Sequence, residues 1–262
     1  MRRFRYLSIV TFGAPAVVAG CFLAVSRLPR LVAEDMRVTV LWAGFGLVSV
    51  TAAAASYLIA SRITKQIDAA RIALVPTLLV IASYGAFLNV EHDLSRIAIM
   101  GLAVGLFLAH SVFLAGLKEG DSRYKKEDLR HLALGIRAIA AFFAFVYAFM
   151  LPTATNVHPA FAALMCGVIS ALVAWETVSD EHFSIKPPRL LAAAFGALGV
   201  EFYAGLSSLP ITALTAATVA LIVFVTALTA AILALKGAAP PRRNFAMATA
   251  LVVLVLATAQ WY

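Results

Sequence analysis

Apolar runs of about twenty residues, broken by short polar segments, recur along the whole chain. That is the length a helix needs to cross the hydrocarbon of a bilayer. Nine stretches have it: Tyr6–Ser26, Val38–Ala60, Ile72–Val90, Ile97–Leu117, His131–Leu151, Pro159–Val178, Leu190–Leu209, Ile211–Leu235 and Phe245–Tyr262. The pattern predicts an all-α integral membrane protein, a polytopic bundle of about nine transmembrane helices. No polar segment between them is long enough to fold alone, so residues 1–262 read as a single transmembrane domain.

Two of the breaks rest on turn chemistry. Residues 138–175 contain no Asp, Glu, Lys or Arg, yet that run is far too long for one span. LPTATNVHP supplies two prolines and turn-forming polar residues, which places a hairpin tip at Pro152–Pro159. SSLPIT separates the seventh and eighth spans at Pro210 in the same way. The opening segment, Met1–Ser26, has a basic start and then an apolar run long for a signal peptide. It has no clear small-x-small site and reads as the first span.

Charge supports the count. With nine spans, alternate connections share a side, and one side collects 17 of the 21 basic residues. The other side holds Arg27, Arg30, Arg37 and Arg96. The positive-inside rule then sets the N-terminus in the cytoplasm and the C-terminus outside, in the cell membrane. Trp261 and Tyr262 fit an outer aromatic anchor. The longest connection, KEGDSRYKKEDLRH, is cytoplasmic. Leu129, Leu132, Ala133 and Ile136 follow helical spacing beside Lys126, Arg130 and Arg137, as an interfacial start to the fifth helix would.

Composition agrees. The chain is 63% hydrophobic and 13% charged, about half the charged share of a soluble domain. The net charge of +8 sits in short loops, where it marks topology and meets anionic lipid rather than nucleic acid. The expected surroundings are therefore the lipid bilayer and other membrane proteins. Cys21 and Cys166 lie inside apolar runs and read as small buried hydrophobes.

Three hairpins resemble one another, at 72–120, 131–182 and 190–236. Each has an outbound helix ending in aromatic and small residues, a tight turn and an inbound helix. Parallel repeats of this kind build some transporters, although any apolar hairpin resembles another.

Glu201 is the principal candidate for function. It lies roughly 17 Å along the seventh span, counted from Leu190 at about 1.5 Å per residue. A carboxylate at such depth costs on the order of 2.5–3.5 kcal/mol. Ala197, Leu198, Ala204 and Gly205 lie three and four residues away on its face, with Ser208 one turn further. A face that small admits a partner helix, so Glu201 is expected to point into the bundle. Tyr84 and Tyr147 lie at similar depth, and His110 about a turn nearer the cytoplasm. Two readings stand: a coupling carboxylate or cavity floor, and an interhelical hydrogen bond that fixes packing. Thr215, Thr218, Thr226 and Thr229 form a stripe on the eighth span, suited to close packing or to a weakly polar cavity.

The remaining polar groups suggest less. Only His110 among the five histidines lies inside a span, which argues against a bis-histidine haem. His92 and His158 fall on outer turns, and Glu91-His92-Asp93 reads as a solvated turn rather than a metal site. Glu176, Asp180 and Glu181 surround the inner end of the sixth span, where a helix C-terminus disfavours anions unless Lys186 or Arg189 answers them. There is no Walker sequence, HExxH or GxSxG, and no mid-span lysine for a retinal Schiff base. The expectation is no cofactor and no metal. Three functions remain: a non-enzymatic membrane subunit or scaffold, a transporter of a small or lipid-like solute with Glu201 at its site, and a lipid-modifying enzyme. The last lacks the clustered Asp, His or Arg it would need.

Overall fold

Helix-forming apolar runs and the breaks between them set the architecture. The computed structural model describes residues 13–24, 36–61, 66–89, 93–119, 126–155, 157–180 and 188–259. Among these the chain is all-helical, without strands. The helices are α1 (Gly13–Ala24), α2 (Arg37–Ser61), α3 (Gln66–Asn89), α4 (Asp93–Glu119), α5 (Lys126–Thr155), α6 (Pro159–Asp180), α7 (Pro188–Ser207), α8 (Ala213–Leu235) and α9 (Arg242–Ala257). Six contain a segment long and apolar enough to cross a membrane: Trp42–Ser61, Leu94–Gly116, His131–Thr153, Pro159–Ser179, Arg189–Ser207 and Ala213–Leu235. They are consistent with a membrane-embedded protein. The apolar stretches Gly13–Ala24 and Ile72–Leu88 are shorter, and α9 has 16 residues, about 24 Å at the α-helical rise. The expected anchors Trp261 and Tyr262 lie outside the described residues.

Turn chemistry explains the boundaries. α5 runs through Pro152 to Thr155, four residues past the expected end of the span at Leu151 and into the expected break. Pro152 sits in its last turn, where the lost amide interrupts only the fraying end. α6 then opens on Pro159, a favourable first helical residue. His158 caps it by accepting from the Ala160 amide at 3.2 Å through Nδ1, so this expected turn histidine works on its own backbone. The break at Pro210 falls as expected between α7 and α8. Thr212 caps α8, its hydroxyl accepting from the Thr215 amide at 3.2 Å. At the other end of α8, Gly237 adopts φ 71°. The amides of Ala238 and Gly237 turn back to Leu233 and Ala234, a Schellman closure that needs a residue tolerant of the left-handed region.

The chain divides into two compact units, Met1–Ala140 and Ala141–Tyr262, with α5 continuous across the division. In the first unit α2 packs on α3, and α3 on α4. Its core centres on Phe22, which meets Tyr84 edge-on at 5.0 Å and Phe87 at 5.7 Å between ring centres. Val48, Ala52 and Phe107 fill in around these rings. Ile136 and Ala140 at the start of α5 bury against Val75 and Leu79 of α3.

In the second unit the most extensive contact is between α6 and α7. Glycines set its closeness. A Cβ on Gly199 would lie 2.5 Å from Ser170 Oγ and 2.7 Å from the Cys166 carbonyl oxygen. One on Gly167 would lie 2.8 Å from a Val200 methyl and 2.9 Å from the Gly196 carbonyl oxygen. The two backbones therefore approach as small-residue helix pairs do in lipid. Phe224 of α8 bridges this unit, edge-on to Phe195 at 5.6 Å and Phe145 at 6.0 Å. α9 packs on α8 and has no buried residue.

Candidate functional site

Glu201 lies on α7, 12 residues on from Arg189 in a 19-residue span, or about 18 Å along a helix about 28 Å long. Its placement corrects the expectation that it points inward: Glu201 is exposed. Ala193, Ala194, Ala197, Ala204 and Gly205 share that exposed face. The reason lies on the other side of the helix. Ala192, Phe195, Gly199 and Tyr203 are buried, and Tyr203 stacks on Phe149 of α5 at 5.0 Å. Two residues from Tyr203, Glu201 is turned about 200° around the axis, away from α5. α7 thus has two small-residue faces, and the one with Gly196 and Gly199 takes the internal contact.

This outward face differs from other exposed helix surfaces in the molecule. On α4 the exposed side chains include Leu94, Ile97 and Leu102. On α6 they include Phe161, Leu164 and Val168, and on α9 Leu251, Val253 and Leu254. Those are bulky aliphatic and aromatic groups of the kind that lipid tails accept. On α7 the exposed residues include Leu190 and Val200, but within a turn of the Glu201 carboxylate they are Ala197, Ala204 and Gly205. A Cβ on Gly205 would meet nothing within 4 Å, so the face is open as well as small.

The other expected site residues separate into two groups. Tyr84 and His110 are buried in the first unit, with the Tyr84 ring fixed by Phe22 and Phe87. Tyr147 is buried in the second unit, and α7 turns Glu201 away from the helix that carries it. The threonines of α8 are largely occupied by their own helix. Thr218 donates to the Leu214 carbonyl at 2.8 Å and Thr226 to that of Ile222 at 2.7 Å. Thr215 shares a 2.8 Å hydrogen bond with the capping Thr212. Thr226 and Thr229 also line a cleft of about 110 Å³ between α8 and α9, with Val225, Leu233, Asn244 and Phe245. Glu201 is not among the residues that line it.

Two charged residues belong to the interior that were expected elsewhere. Arg137, expected on the polar side of an interfacial helix start, is only 4% exposed. It lies on the same buried face of α5 as Ala133, Ile136 and Ala140, and His110 of α4 is equally buried. Glu176, expected at a solvated helix end, is 2% exposed, with Val173 and Thr177 buried around it. Both are engaged by neighbours in the structure. For Arg137 alone the sequence gives a hint, since Ala133, Leu134, Ala140 and Ala141 flank it at three- and four-residue spacing; Glu176 has Leu172 and Val173 on one side but Ser179 and Asp180 on the other.

No group of three or more His, Cys, Asp or Glu that could hold a metal occurs among the described residues. His92, Glu91, Glu181 and His182 lie outside them. Comparison with family models, curated proteins and solved structures finds no match.

Proposed function

We propose that the chain is a non-enzymatic, multi-pass membrane subunit that works by helix-to-helix contact with another membrane protein. One observation carries this reading: a carboxylate exposed in the middle third of a span, with exposed Ala197, Ala204 and Gly205 one turn to either side. A carboxylate left against lipid tails costs on the order of 2.5–3.5 kcal/mol, and a covering helix relieves that cost. Small side chains are what membrane helices present to one another. In this reading the nine apolar stretches all span the bilayer, with the N-terminus cytoplasmic and the C-terminus outside, and the repeated hairpins are its building blocks. The transporter reading requires Glu201 to line a cavity; it stays the second reading, and the α8–α9 cleft among the described residues does not support it, since Glu201 is not in its lining.

The test is photo-crosslinking in the membranes of cells expressing the full chain. A benzophenone side chain replaces Ala204 on the α7 face, or Leu164 on the exposed face of α6. Ala204 is expected to give discrete protein adducts, and Leu164 lipid adducts only. Lipid adducts alone from both positions would overturn the subunit reading.

A further inference from the structure

The chemistry of the α7 face also specifies what covers it. We infer that this face binds a transmembrane helix of a different protein that carries a lysine or arginine near mid-span, held against the Glu201 carboxylate. The inference rests on the membrane-subunit reading and adds the identity of the contact.

Charge complementarity is the argument. The basic residues described in the second unit are Arg189, Lys236, Arg242 and Arg243. Arg189 is at the start of α7, Lys236 caps the end of α8, and Arg242 and Arg243 open α9. No lysine or arginine lies within the spanning segments of α6 or α8, or in α7 beyond Arg189. This unit therefore offers Glu201 no cation at its own depth. A second copy meeting through the same face with a twofold axis along the membrane normal would set Glu201 against Glu201. Two like charges in a medium of low dielectric repel strongly. A heterologous helix with one cation replaces that repulsion with attraction, in surroundings where water does not screen it.

Shape agrees with charge. Ala197, Ala204 and Gly205 lie one turn to either side of Glu201, so a partner backbone can come close enough for a lysine or arginine to reach the carboxylate. A bulkier face would hold the partner too far away.

The experiment uses the full chain, donor-labelled and reconstituted in phosphatidylcholine vesicles. The probes are two synthetic alanine–leucine transmembrane helices, acceptor-labelled, alike except for a central lysine or a central glutamine. Energy transfer reports association. The lysine helix is expected to bind the unaltered chain about tenfold more tightly than the glutamine helix. Glu201→Gln should erase the difference, and Glu201→Lys should transfer the preference to a helix with a central glutamate. Gly205→Leu should weaken both probes while leaving the thermal midpoint unchanged, because its Cβ has open space. Equal binding of the two probes by the unaltered chain, or a lysine preference that survives Glu201→Gln, would overturn the inference. So would Glu201-dependent energy transfer between two copies of the chain that excludes the lysine helix. Protein adducts at Ala204 in cell membranes without any lysine preference would reject the cation and leave the subunit reading standing.

Discussion

At Gly199 a hydrogen atom separates two backbones. A methyl group there would meet Ser170 Oγ and the Cys166 carbonyl, at 2.5 and 2.7 Å, and the carbonyl belongs to a helix that cannot yield locally. Gly199→Ala should therefore lower stability by about 1–3 kcal/mol, the usual cost of overpacking, and Gly199→Leu by more. Gly105→Ala on α4 has open space and should stay within about 0.5 kcal/mol. Chemical unfolding in detergent micelles distinguishes the two. Glu201 was legible as an intramembrane acid on a small face, but its direction was not. α7 has small residues on both sides, and the side that packs inside is the one with Gly199 between Phe195 and Tyr203. Glu176 was hidden for the opposite reason. Near a helix end, a charge reads the same in sequence whether it reaches solvent or turns into the protein.

At the scale of elements, sequence periodicity located each helix among the described residues, because apolar length and Pro/Gly punctuation are local properties. The ends were less legible. α5 continues past Pro152, and α3 has a 17-residue apolar stretch inside a 24-residue helix. Capping carries the α8 boundary. Thr212→Ala removes the acceptor for the Thr215 amide and should cost about 1 kcal/mol. Hydrogen exchange should show the first turn of α8 opening more readily, with little change in its middle. Which helices pair was not legible at all. The pairing of α6 with α7 depends on side-chain size at Gly167, Gly196 and Gly199 rather than on hydropathy. α6 and α7 also belong to different hairpins of the proposed repeat.

For the whole molecule, the proposed topology makes a direct demand. Reporter fusions after Trp261 and within the Lys118–Arg130 connection should report opposite sides of the membrane. Fusions that report the same side would remove the nine-span arrangement. The two compact units add something that needs no mutation to read. Each holds one cysteine: Cys21 is partly exposed in the first, and Cys166 is buried beneath Gly199 in the second. A membrane-permeant maleimide should modify Cys21 early, whereas Cys166 should wait until α6 and α7 part. The chain thus carries two native clocks, one for each unit. Their rates during gradual denaturation would show whether the halves come apart together or in sequence, and a Gly199→Ala change should advance the second clock alone.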